Sequence, residues 1–223
     1  MGLIKADCDM SLAKTIHRQF KRKPGSGRIA SQVSLYHLSR LISLRKPKVV
    51  LEVGSGIGTV SQLVLAHPAK VQALLSIEQE PFCRASLSKN LTVQEWQKWV
   101  LFHSLSELPK NLRFDLIIFD GNQYDPSIFQ FMGAETAIFV EGKRLQTREE
   151  LTANCRQIGL DLHLQEHWGR WHIGLRGLKN ARMRLVLKRD QCHFGICKLT
   201  EAAAATEQPQ RREPAEAAIV ERA

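Results

Sequence analysis

Apolar residues along the chain follow two recurring spacings. Val33, Leu35, Leu38, Leu41 and Ile42 repeat near the period of a helix, which predicts an amphipathic helix over 29–44. Val49, Val50, Leu51 and Val53, interrupted only by Glu52, form a short apolar run that predicts a buried strand. Val60, Leu63, Val64 and Leu65 return to helical spacing, ending at a His67-Pro68 turn. The same alternation continues with a strand over 71–77, a helix over 81–91 with Pro81 in its first turn, and a polar helix over 93–98. Strands follow over 100–103, 116–119 and 137–140. A helix over 151–158 is stopped by Gly159, and two or three strands fill 161–199, including 183–187 and 193–198. Ahead of the first strand, a short helix over 11–20 leads into a Pro24–Gly27 turn, and Arg45-Lys46-Pro47-Lys48 separates the second helix from the strand.

Strands alternating with helices predict an α/β fold: a doubly wound, mainly parallel sheet of seven-stranded type, with the late strands as an antiparallel edge. Residues 201–223 are rich in Ala, Glu, Gln and Arg and poor in bulky apolar residues, so they predict a disordered or weakly helical tail. The chain divides into a basic helical extension (1–46), an α/β domain (47–200) and that tail.

Composition narrows the class. With 223 residues and 43% hydrophobic content, the chain can bury a core. No apolar run approaches the roughly 18–20 residues of a membrane span, and the first ten residues carry no signal-peptide stretch. Five scattered cysteines, an odd number, predict reduced thiols and a cytoplasmic location. Cys192, His193 and Cys197 read as positions on one strand, because a second half-site with zinc-ligand spacing is missing. The net charge is +10, and 1–48 holds eleven bases against two acids. That +9 region, centred on Lys21-Arg22-Lys23-Pro24-Gly25-Ser26-Gly27-Arg28, is either a solvated face or a site for an anionic partner, with nucleic acid bound through 14–28 as one form of it.

The first strand enters a loop with glycines at Gly54, Gly56 and Gly58, which lets a ligand approach the backbone closely. A dinucleotide fingerprint places its third glycine three residues after the second, whereas here the gap is two. In an open parallel sheet the ligand lies beyond the carboxyl ends of the strands, where this chain has Glu52 and Gly54, Glu78, Ser104, Asp120 and Glu141. Glu78 stands roughly 20 residues past the glycine loop, where a carboxylate can accept both hydroxyls of a ribose.

The glycine spacing with its preceding acid resembles motif I of the class I S-adenosylmethionine-dependent methyltransferases. The resemblance implies S-adenosylmethionine as cofactor. Gly54, Gly56 and Gly58 would surround its methionine half, and Glu52 would hold its ammonium, aided by the Ser55 hydroxyl. Glu78 would bind the ribose, Ser104 would lie near the adenine, and Asp120 would face the reaction centre with Glu141 as a second carboxylate. The stretch 34–58 with Glu78 and Asp120 is similar to small-molecule O-methyltransferases of the catechol type. Those hold a divalent cation with an Asp-Asn pair after the fifth strand, where this chain has Glu141-Gly142, so no metal site is assigned. The Asp120-Gly121-Asn122-Gln123 sequence departs from the exocyclic-amine motif. The expected function is methyl transfer to a small, anionic acceptor. The alternatives are an RNA methyltransferase that uses the basic region, and a cofactor-binding protein without catalysis. His167 and His172 are further candidate bases within a segment that is either an acceptor-pocket wall or a plain strand, and Lys143, Arg144 and Arg148 are either anion ligands or solvated cations.

Overall fold

A computed structural model describes residues 2–91, 97–121, 124–142, 144–177 and 183–199. The expected tail at 201–223, most of the polar helix at 93–98, and Asn122, Gln123 and Lys143 lie outside the described residues.

The chain opens with α1 (Gly2–Phe20) and α2 (Gln32–Arg45), then alternates β1 (Val49–Val53), α3 (Thr59–Ala66), β2 (Ala73–Ile77), α4 (Pro81–Asn90), β3 (Trp99–Phe102) and β4 (Leu116–Phe119). It continues with β5 (Ala137–Glu141), α5 (Leu145–Gln157), β6 (Leu160–Leu162), β7 (Gln165–Gly177) and β8 (Met183–Leu199). Strand order is β3-β2-β1-β4-β5-β8-β6, with β7 also paired to β8. The first five strands in this order run parallel, and β8 is antiparallel to β5. The expected doubly wound sheet with an antiparallel edge is therefore present. β6 and β7 pair with successive stretches of β8, so eight strands occupy seven positions.

Alternation along each parallel strand sends side chains to two cores. Val50, Leu74, Leu116 and Phe139 pack beneath α1, α2 and α3. Leu51, Leu75, Ile117 and Ile138 pack on the other face with Leu151 and Cys155 of α5. Both faces are covered, which is why these strands read as nearly continuous apolar runs. Ala13, Ile16 and Phe20 of α1 belong to the first core. Asp9 of α1 accepts hydrogen bonds from Ser39 Oγ (2.7 Å) and Ser43 Oγ (2.9 Å) of α2. His67, just past α3, closes this polar knot. Its Nδ1 accepts from Ala69 N–H (3.1 Å), so its proton sits on Nε2, 3.1 Å from Ser39 O. Asp9 and Ser39 both approach that one nitrogen, which suits helix anchoring and not a proton relay.

Several boundaries differ from the sequence reading. α1 begins nine residues before the expected helix. α2 starts at Gln32 because Ser31 caps it, its hydroxyl accepting from Ser34 N–H (3.1 Å), and Ile29 remains extended. β2 starts at Ala73, two residues after the expected onset, and β3 runs one residue ahead of its expected range. α5 starts at Leu145 rather than 151, because its first turns are polar and carry little apolar signal. β8 is one strand of 17 residues where two segments were expected.

Candidate functional site

The parallel register brings the carboxyl ends of β1, β2, β4 and β5 to one edge, with Val53 beside Ile77 and Phe119, and Phe119 beside Val140. The glycine loop leaves β1 there. Gly54, Gly56 and Gly58 all have positive φ (86°, 53° and 98°). Gly54 also lies against the backbone of Gly121, where a Cβ would collide, so no other residue fits. No atom lies within 4 Å of where a Cβ on Gly56 would stand, so its backbone faces open space.

Two hollows of about 480 and 540 Å³ meet at this edge and share Arg28, Gly56, Glu80, Cys83 and Asp120. Either volume is in the range of a small-molecule site. Glu78, at the end of β2, is 8% exposed and lines the first hollow. One carboxylate oxygen accepts from Gly56 N–H (2.7 Å), and the other from Gln79 and Glu80 N–H (both 2.9 Å). The oxygen on Gly56 N–H carries one bond and can accept another, so capacity remains for a ligand. Glu80 caps α4 by accepting from Cys83 N–H (2.8 Å), the helix-start role its sequence position suggested. Cys83 lines both hollows. Burial, reinforced by Glu80, pushes its thiol up to about 11, so it stays protonated and is no nucleophile.

Glu52 is fully buried on the α3 side of β1. Its Oε2 accepts from Ser61 Oγ (2.6 Å) and Ser76 Oγ (2.8 Å), while its Oε1 has no hydrogen-bond partner. Burial pushes its carboxyl up to about 6 against those hydroxyl bonds. Ser55 Oγ and Thr59 Oγ1 are also buried without partners. Three unsatisfied polar atoms at one glycine loop are unusual in a folded protein and mark a place for a polar ligand or water.

Asp120 ends β4 and lines both hollows. Burial raises its pKa well above the usual carboxylate range, and the neighbouring Glu141 charge adds to this, opposed by Arg144. Arg144 is the residue that sequence reasoning misjudged. It is neither solvated nor free for an outside anion. Its guanidinium donates to Gly121 O (2.7 Å), Asp120 O and Glu141 Oε2 (2.8 Å), and sits 3.4 Å from Asp120 Oδ1. Its side chain is 15% exposed and lines the first hollow. Glu141 also accepts from Ser34 Oγ (3.3 Å) and does not line either hollow.

Other expected positions fall elsewhere. Ser104 bonds to Ser106 Oγ (2.7 Å) and is absent from the lining of both hollows. His167 stacks on Phe194 (4.2 Å between rings) and approaches His37 of α2 (4.7 Å), outside the cleft lining. The side chain of His172 lies outside the described residues. Cys192, Cys197 and His193 are buried, with His193 Nε2 3.2 Å from Glu166 Oε1. Among the described residues no group of three or more His, Cys, Asp or Glu forms a metal-sized cluster. Arg28 was read as part of a charge run, yet it lines both hollows. The close Gly25 contact with Ile57 and Phe82 holds its turn over the glycine loop.

No family model and no curated relative matches the chain. Solved structures do. An O-methyltransferase from Bacillus cereus in complex with SAH is 12% identical with a TM-score of 0.58, over 84% of this chain and 91% of that one. This chain has the class I methyltransferase fold. The SAH-bound Podospora anserina methyltransferase PaMTH1 is 15% identical (TM-score 0.57) over 85% and 88% of the two chains. The precorrin-6y C5,15-methyltransferase from Geobacter metallireducens is 13% identical (TM-score 0.53) over 77% and 90%. No described helix of this methyltransferase-fold chain is long and apolar enough to cross a membrane.

Arg144 should matter to stability. Replacing it with leucine leaves Asp120 and Glu141 facing each other without their cation. A fully buried pair broken on one side costs about 3–5 kcal/mol. Here partial exposure reduces the expected loss to about 2 kcal/mol in urea unfolding at pH 8. The loss should shrink as pH falls, because Asp120, whose pKa is raised by burial, then takes up a proton. A loss independent of pH would mean that the guanidinium matters for packing alone.

Proposed function

We propose that the chain transfers a methyl group from S-adenosylmethionine to an anionic acceptor. The observation that carries this reading is one cleft lined by the Glu78 carboxylate, by the open Gly56 backbone and by Ser55 and Thr59 with unpaired hydroxyls, while Glu52 lies fully buried and outside the lining of both hollows. These groups fit the cofactor. Glu78 accepts from its ribose hydroxyls, while Gly54, Gly56 and Gly58 leave room for its methionine half. Glu52 balances its ammonium, and Ser55 adds a hydroxyl. The cofactor supplies an electrophilic methyl group on a sulfonium.

The remaining steps belong to the protein. Of the groups common to both hollows, Glu80 is engaged as a helix cap and Cys83 stays protonated, so Asp120 at the end of β4 takes the proton that the acceptor heteroatom releases as its bond to carbon forms. Arg144 holds Asp120 in place, and Glu141 acts through Arg144 as a positioning carboxylate. Arg28 at the cleft mouth favours an acceptor with negative charge. Asp120 is thus the catalytic base and Glu141 its positioning carboxylate, and the step needs no metal. Five free thiols, three of them buried, fit a cytoplasmic setting.

The test is calorimetry with S-adenosylhomocysteine, followed by transfer of labelled methyl into RNA, protein and small-molecule fractions of a lysate. Binding and label in one fraction are expected. Absence of S-adenosylhomocysteine binding would overturn the cofactor assignment, and binding without transfer would leave a protein that holds the cofactor but lacks chemistry.

A further inference from the structure

Charge in this protein is segregated by element. Residues 1–48 carry eleven bases and two acids, and residues 168–191 carry seven bases and one acid. The sheet-and-helix body between and after them, 49–167 and 192–199, holds fourteen acids and eleven bases. The excess of positive charge thus sits on two additions to a mildly acidic body.

Both additions connect to elements at the cleft edge. On α1, Lys14, Arg18, Lys21 and Arg22 follow one another at helical spacing along or just past one face. The opposite face puts Ala13, Ile16 and Phe20 into the core. The four cations are exposed and, with His17 and Gln32, line a groove of about 390 Å³. None of the four makes an ion pair or side-chain hydrogen bond with a described residue. Like charges four apart on a helix cost a few tenths of a kcal/mol per pair, so the stripe disfavours the free protein until an anion offsets it. From Arg22 the chain turns over the glycine loop and reaches Arg28 in the cleft wall, six residues on. On the other side, β8 pairs with β5 up to Cys192 beside Glu141 and then continues with β7 as a two-stranded ribbon. Because β8 runs antiparallel to β5, that ribbon extends past the carboxyl edge where the cleft opens.

We propose that the α1 groove of Lys14, Arg18, Lys21 and Arg22 binds the phosphate backbone of a nucleic acid and leads it past Arg28 to the cleft, with the ribbon on the far side. This deepens the methyl-transfer reading by naming the acceptor class, and rests on it for that part alone. A small anion would need one cation at the cleft mouth, whereas four unpaired cations in a row match a repeating phosphate. No Phe, Tyr or Trp side chain lines the groove, so contact is chiefly to phosphates and tolerant of sequence.

The experiment is fluorescence anisotropy of the full chain with a mixed-sequence 20-mer, as single-stranded RNA and as single-stranded DNA, between 50 and 200 mM salt. Four phosphate contacts predict a slope of roughly −3 in log affinity against log salt, or about a 50-fold loss over that range. The K14A/R18A/K21A/R22A variant should bind at least tenfold more weakly at 50 mM salt and lose most of the slope. Equal binding of RNA and DNA assigns the contact to phosphate alone, and preference for RNA adds the 2′-hydroxyl. Absence of binding at 50 mM salt, or a variant that binds like the parent, overturns the proposal. S-adenosylhomocysteine calorimetry on the same two proteins keeps the readings apart. The variant should bind it unchanged, which also shows that it is folded. A parent that binds RNA but not S-adenosylhomocysteine removes the cofactor assignment and leaves the groove standing.

Discussion

The Asp120→Asn variant is expected to lose about 100- to 10,000-fold in kcat, the span that a positioned general base contributes. The same substitution should leave the folded protein as stable as the parent or more so. The carboxyl is raised by burial and by Glu141, so the folded state binds its proton more tightly than the unfolded chain does. Stability of the parent therefore falls as pH rises from about 4 through the raised value, then levels off. Asparagine removes that decline. Catalysis runs the other way, because the base must be ionised, and kcat of the parent should climb with pH along a limb displaced above the ordinary carboxylate range. Single-turnover methyl transfer to whichever lysate fraction accepts label, read beside urea melts, measures both. An asparagine variant that keeps its rate removes Asp120 as the base. One that loses rate and stability together points to damage at the Arg144 cluster.

Glu78→Ala should weaken S-adenosylhomocysteine binding by about 100- to 10,000-fold. Two hydrogen bonds from ribose hydroxyls to a carboxylate contribute about 1.5–3 kcal/mol each. Glu78 also ties Gly56, Gln79 and Glu80 N–H to one side chain, so its removal loosens the loop on which the ligand rests. Glu78→Gln is an intermediate case: its one amide oxygen can keep the Gln79 and Glu80 N–H bonds, but its NH2 group cannot accept from Gly56 N–H, and the charge is gone. Calorimetry is expected to rank the affinities parent, then glutamine, then alanine. Equal affinities across the three would remove the ribose role.

The parts of the fold legible in the sequence were those with an unbroken apolar period. β1, β4 and β5 are buried on both faces and stood out as runs, and the glycine spacing located the cleft. α5 was cut short because Leu145 to Glu150 present mostly polar side chains, and periodicity is silent where nothing is buried. The ends of β2 and β3 moved by a residue or two because pairing, not hydrophobicity, decides where a ladder stops. At the site, Glu78 and Asp120 were legible from position alone, since strand ends in a parallel sheet must face the ligand edge. Arg144 was not. Its sequence neighbours Lys143 and Arg148 suggested a solvated basic cluster. Only the positive φ of Arg144 and the side-by-side carboxyl ends of β4 and β5 bring its guanidinium onto Asp120 and Gly121. Arg28 was hidden in the same way, inside a run of cations whose other members line a different surface.

The contact between Gly54 and Gly121 has a consequence for redesign. The ends of β1 and β4 touch backbone to backbone along that seam, so no side chain can be grafted there to alter what the cleft accepts. New acceptor preferences have to be engineered from outside the seam. The Pro24–Arg28 turn and the β7–β8 ribbon are the available handles, and a library that randomises those while leaving Arg144 and the two glycines untouched keeps the floor of the cleft intact in every member.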